Sequence, residues 1–137
     1  MDITYPARLV EQKGGYFVEF IDLPDTFTEG ETIEEALFNA AEVLSGMLGW
    51  CIDEDKPIPL PTRKLKGVHY IAPDLKSQAA LLLRHARADR SLAELARAME
   101  TSWPQAKRLE DPHHWPSLKT LDKAARVLGK RLVLTLV

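Results

Sequence analysis

The chain reads as an α+β protein with two dissimilar halves, and three observations carry that reading. Two β-prone runs flank a Gly-Gly pair near the start. A capped amphipathic helix opens at Thr32. After Pro73, four short amphipathic segments follow one another, each preceded by a capping residue: Asp74, Ser91, Ser102 and Ser117.

The elements follow in order. Ile3 to Gln12 is apolar and β-prone, Gly14-Gly15 is a turn, and Tyr16 to Ile21 (YFVEFI) is the second strand of a hairpin. Leu23-Pro24-Asp25 breaks that run, and TFTEG adds a short third strand ending at Gly30. Thr32 and Glu35 have capping-box spacing. Ile33, Leu37, Ala40, Ala41, Leu44, Met47 and Leu48 then recur with helical period, and Gly49 with Asp53-Glu54-Asp55 marks the end. The proline-rich KPIPLPTRKLKG cannot be helix and reads as an extended connection to a further strand, Val68 to Ala72. Pro73-Asp74 is the expected boundary, giving domains 1–73 and 74–137. In the second half the inward residues are expected to be Leu75, Ala79, Leu82, Leu83 and Ala86, then Leu92, Leu95, Ala96 and Met99, and finally Leu118, Leu121, Ala124, Ala125 and Leu128. Gly129 stops the last helix, and LVLTLV reads as a short C-terminal strand.

Composition narrows the function. A hydrophobic fraction of 45% argues for a folded chain. No apolar run reaches the ~18 residues of a membrane span, and the first residues, MDITYPARLVEQ, lack the pattern of a signal peptide. The single cysteine, Cys51, excludes an internal disulfide framework and suits a reducing cytoplasm. His69, His85, His113 and His114 have no metal-ligand spacing with Cys51, so neither metal nor cofactor is expected. Trp50, Trp103 and Trp115 are expected in core or interface, with Trp103 an alternative DNA contact. The net charge of −2 divides unevenly: residues 1–73 hold thirteen Asp/Glu and six Lys/Arg, whereas residues 74–137 hold seven and twelve. The first half is therefore −7 and the second +5. An acidic half suits a basic protein, and a basic half suits phosphates.

Ser91 to Glu110, SLAELARAMETSWPQAKRLE, holds two amphipathic runs either side of a short break, the pattern of a helix-turn-helix. Ala96 supplies the small residue that two crossing helices need, and Leu95, Met99 and Leu109 can close the core between them. The second helix, with Pro104 in its first turn, would present Ser102, Trp103, Gln105, Lys107 and Arg108, with Lys119 just beyond. Gln suits adenine, Arg suits guanine and Lys suits phosphate. With the flanking SLKTLDKAARVLG, the segment resembles the lambda-repressor-like helix-turn-helix domains. The turn position that usually holds Gly in that family is Glu100, where a positive φ is disfavoured.

The first half carries its own resemblance. YPARLVEQKGGYFVEFIDLPDTFTEGETIEEALFNAAEVL, with IPLPT after the helix, is similar to the N-terminal module of HicB antitoxins. The matching features are the YPA-type first strand, the Gly-Gly-Tyr turn, the F-x-D-L-P segment and T-x-G-E-T-x-E-E-A. The resemblance implies a truncated ribonuclease-H-like fold for residues 1–73. It also implies an antitoxin that covers the active surface of a HicA-type toxin, a small basic RNA-cleaving protein with a catalytic histidine. The second module would bind operator DNA and repress the antitoxin's own operon. Asp22, Asp25, Glu29 and Glu31 are the expected pairing residues for Lys/Arg on the toxin. Leu132, Leu134 and Leu136 are expected to pair with a second chain, giving a homodimer or higher homo-oligomer and calling for a palindromic operator.

Two rivals belong to other classes. A repressor whose first half senses a small ligand would share the charge division. A metal-dependent nuclease would need converging carboxylates, for which Glu19, Asp22, Asp25 and Glu29 are the candidates; a truncated module lacks the elements to complete such a site, so the protein is not expected to be an enzyme.

Overall fold

Gly14 adopts a φ of 88° and turns the first strand back on itself, as a glycine pair between apolar runs requires. In the computed structural model, which describes all 137 residues, this hairpin joins β1 (Tyr5–Gln12) to β2 (Gly15–Phe20). β3 (Phe27–Gly30), α1 (Ile33–Asp53) and β4 (His69–Ile71) follow. The chain divides into two units, Met1–Leu75 and Lys76–Val137.

In the first unit the four strands form one antiparallel sheet in the order β3-β2-β1-β4. Residues directly opposite one another share a face. The register pairs Ala7 with Phe20, Leu9 with Val18 and Tyr5 with Ile71, which places all six on one face. That face packs against α1, whose Ala36, Ala40, Leu44 and Leu48 are fully buried. Small residues at Ala36 and Ala40 let the helix approach the sheet. Gly30 is needed for the same reason: a Cβ there would lie 2.5 Å from the Ala36 backbone nitrogen. Thr32 Oγ1 accepts from the Glu35 backbone N–H at 3.1 Å, so Thr32 caps the helix where expected. Of the two expected end signals, the acidic Asp53-Glu54-Asp55 stands and Gly49 does not. The helix runs through Gly49, which is buried, to Asp53, and closes at Asp55 with a φ of 51°. Packing on the sheet outweighs the helix penalty of one glycine, about 1 kcal/mol.

The second unit holds four helices, α2 (Leu75–Arg87, whose first residue closes the first unit), α3 (Leu92–Ala98), α4 (Trp103–Arg108) and α5 (Leu118–Val127). Its core is Leu83, Leu95, Ala96, Met99, Ala106, Leu109, Ala124 and Leu128. Ser91, Ser102 and Ser117 each cap a helix by accepting an N–H three residues on. Two expectations fail here. Leu75 and Leu118 are exposed rather than inward; in α2 the run Ala79–Leu83 is apolar without a break, so periodicity cannot select its buried face. Residues 131–137 form no strand. Leu134 is 69% and Leu136 fully exposed, and Leu132 half-buried. A ladder needs a second strand, and the helical unit has none to offer.

An ion pair holds the helices in place. Arg87, in the last turn of α2, meets Glu110, just beyond α4, through two bonds: Nε to Oε2 at 2.6 Å and Nη2 to Oε1 at 2.9 Å. Arg87 Nη1 also donates to the Arg90 carbonyl at 2.6 Å. Glu110 is buried and Arg87 nearly so, so each charge depends on its partner. The Glu110→Ala variant is expected to lose about 3 kcal/mol, because a guanidinium is left without its counter-charge. Glu100→Gly should act the other way, since Glu100 sits at a φ of 56°; relief of that conformation is expected to gain about 0.5–1 kcal/mol. Urea unfolding followed by circular dichroism checks both signs.

Candidate functional site

Two surfaces carry the residues singled out by sequence. In the first unit, the segment 21–26 leaves β2, is pinned by Ile21 N–H on the Pro6 carbonyl and Phe20 N–H on the Thr26 carbonyl, and turns at Asp25 (φ 55°) into β3. Asp is one of the few residues that visits this conformation readily. Asp25 and Glu31 are exposed at the two ends of β3. Glu29 is exposed on β3 and stands opposite Phe17, so it lies on the sheet face away from α1; its carbonyl accepts from Asn39 Nδ2 on α1 at 2.9 Å.

Asp22 differs from these three. Both its oxygens are engaged by Thr62: Oδ2 accepts the backbone N–H at 2.8 Å and Oδ1 the hydroxyl at 2.6 Å. Asp22 therefore anchors the proline-rich connection. That connection does more than span a gap. Tyr5 Oη donates to the Pro59 carbonyl at 2.7 Å, and Tyr70 Oη donates to the Thr62 carbonyl at 2.8 Å. Arg63 stacks on the Tyr70 ring at 4.4 Å, pairs with Asp2 at 2.9 Å and donates to the Thr4 carbonyl. Sequence reading found the extended character of 56–67 but not this clamp, because its partners lie some 40–60 positions away.

In the second unit, the turn between α3 and α4 is closed by two bonds. Glu100 N–H donates to the Arg97 carbonyl at 3.1 Å and Thr101 N–H to the Ala96 carbonyl at 2.9 Å. This is the Schellman arrangement, which needs a left-handed residue at Glu100. The turn forms without glycine. Ala96 and Ala106 are buried where the two helices meet. α4 turns Trp103, Gln105, Lys107 and Arg108 outward. Lys107 Nζ lies 5.2 Å from the Trp103 ring centre, and Arg108 Nη1 donates to Gln105 Oε1 at 3.4 Å. Ser102 is occupied as the α4 cap. Lys119 is exposed in the first turn of α5. Met99, Glu100, Gln105, Arg108, Thr120 and Lys123 are among the residues that line a cleft of about 280 Å³. Trp50, Trp103 and Trp115 are all about half exposed or more, so none is a core residue. No helix is long and apolar enough to cross a membrane.

The chain thus joins an acidic α+β unit to a basic four-helix unit that carries exposed cations on a capped helix. The family of HicB-like antitoxins of bacterial toxin–antitoxin systems matches residues 4–77. Antitoxin HicB of Escherichia coli K12 is 32% identical over 98% of this chain and the whole of that protein. Antitoxin HicB 1 of Photorhabdus laumondii is 32% identical over 98% of this chain and 88% of its own length, and Antitoxin HicB 2 of the same organism is 28% identical over 99% and 98%. The chain belongs to the HicB-like antitoxin family.

Tyr5 gives a pH test of the clamp. Burial, and then the neighbouring Asp22 carboxylate, push its hydroxyl up to about 12 from the ordinary 10. Between those values the unfolded chain releases a proton that the folded chain retains. Stability from this group is complete below pH 10 and is lost as pH rises towards 12. Urea midpoints for the wild type should fall over that window more steeply than those of Tyr5→Phe, which has no proton to lose.

Proposed function

We propose that the chain is an antitoxin that occludes a small basic HicA-type RNA-cleaving toxin through residues 1–73 and represses its own operon through residues 74–137. The observation that carries this reading is the end-to-end similarity to HicB antitoxins, which spans both units rather than one. The charge division supports it, with −7 on residues 1–73 and +5 on residues 74–137. On this reading the first unit is a truncated ribonuclease-H-like module, with the β3-β2-β1-β4 order and α1 on one face as its support. Asp25, Glu29 and Glu31 attract toxin cations. Asp22, spent on Thr62, acts by shaping the loop that presents them.

The second unit acts as a lambda-repressor-like helix-turn-helix. Its support is the tight α3–α4 turn at Glu100, the buried Ala96–Ala106 crossing, and the exposed polar face of α4. Gln105 and Arg108 stand for base contacts, while Lys107, Lys119 and the Ser102 segment meet phosphates. Trp103 lies at the first turn of α4 with Lys107 over its ring, where it can flank the backbone. Leu132, with the exposed Leu134 and Leu136, pairs with the same segment of a second chain. A two-fold dimer of this kind sets two reading helices ~34 Å apart on a palindromic operator.

Two outcomes follow. Coexpression with the HicA-type protein of the same operon should relieve growth arrest, and a chain that fails to do so is not its antitoxin. Arg108→Ala should weaken specific operator binding by about 1–3 kcal/mol. Gel shifts that show equal affinity for operator and scrambled DNA in wild type and variant alike would remove Arg108 from the readout.

A further inference from the structure

α1 covers one face of the sheet, and the other face is covered unevenly. At its β4 end the chain closes the face itself: Tyr70, opposite Pro6, lies under Arg63 and the Thr62–Leu65 segment. At its β3 end nothing of this kind occurs. The register pairs Val10 with Phe17, Phe17 with Glu29, and Glu19 with both Arg8 and Phe27. These six residues therefore share the outer face. Phe27 is 54% and Val10 48% exposed, and the Phe17 and Phe27 rings sit 5.6 Å apart as one aromatic platform. An exposed apolar patch rimmed by charge marks an interaction surface. Two adjoining aromatics at its centre have the make-up of a binding hot spot.

The rim tells which partner fits. Glu19 and Glu29 alternate with the two phenylalanines, Arg8 stands only beside Glu19, and Asp25 and Glu31 extend the negative edge at either end of β3. A surface with an apolar centre and a ring of Lys/Arg is the complement. We infer that the outer face of β1-β2-β3, centred on Phe17 and Phe27 and bounded by Glu19 and Glu29, is where the basic toxin docks. The inference rests on the antitoxin reading and adds the location, which places the toxin against the sheet rather than against α1. The aromatic pair gives the contact its strength. The carboxylates give it orientation and speed of encounter. The edge strand is held for this task by Asn39 and by the close seat of Gly30 on α1.

The test uses the full chain and the purified, catalytically inactivated HicA-type protein of its operon, with affinity read by calorimetry. Phe27→Asp should weaken binding a hundredfold or more, and Glu29→Lys, which leaves the aromatic pair intact, about tenfold. Both variants should keep the wild-type melting temperature and operator affinity. Phe38→Asp, on the exposed side of α1, serves as the control and should bind as the wild type does. Wild-type affinity in both Phe27→Asp and Glu29→Lys overturns the location while leaving the antitoxin reading intact. So does a loss confined to Phe38→Asp. A Phe27→Asp chain that binds toxin normally but changes its own mass in light scattering assigns the face to a second copy instead, which also overturns it. A wild-type chain that does not bind the toxin removes the antitoxin reading and the location together.

Discussion

A sheet has two faces, and a single helix can cover only one of them. This constraint shapes the whole first unit. Ala36, Ala40, Leu44 and Leu48 of α1 meet Ala7, Val18, Phe20 and Ile71, and the two sets exclude water from one side. With only four strands and one long helix, no element remains to cover the other side completely. The proline-rich connection closes the β4 end through Arg63, Tyr70 and Thr62. The β3 end leaves the Phe27 ring, with the half-buried Phe17 beside it, and two carboxylates facing solvent. Apolar burial is worth about 25 cal/mol per Å², so such a surface gains from a partner.

The second unit solves a different problem. Its helices are short, from six to thirteen residues, too short to be stable alone in water. Caps and tight ends supply what length does not. Three serines satisfy N-terminal donors, and Glu100 and Gly129 take the left-handed conformation that ends α3 and α5. The Arg87–Glu110 pair then joins the end of α2 to the end of α4. Its two parallel bonds fix direction as well as distance. The result is a six-residue helix held firmly enough to present Gln105, Lys107 and Arg108 in a set order.

Local signals were legible in the sequence, and long-range ones were not. The Gly14-Gly15 turn, the Thr32 cap and the three serine caps each involve residues within four positions of one another, so spacing alone reveals them. The 3.6-residue period finds Ala40, Leu44 and Leu48 on the buried face of α1, but it includes Ile33, which is exposed, and omits Ala36, which is buried. The face of α2 does not follow from its period, because five apolar residues in a row match every face. Asp22 shows the same limit at the site. As a lone carboxylate beside Asp25 it looks free, and its engagement with Thr62 depends on a contact forty positions away. The Phe17–Phe27 platform is hidden for a related reason: its residues read as ordinary strand hydrophobes until the register assigns them to the uncovered side. The C-terminal LVLTLV has the composition of a strand but lacks a neighbour within one chain, and composition cannot supply a ladder.

The central claim is a division of labour, with toxin on the first unit and operator on the second. Hydrogen–deuterium exchange of the full chain, recorded alone, with inactivated toxin, and with operator DNA, addresses it most directly. Toxin should slow exchange in residues 15–30 and leave 91–120 unchanged, while operator should slow 100–120 and leave 15–30 unchanged. Protection of the same residues by both ligands, or by the toxin only in the helical unit, would contradict the account.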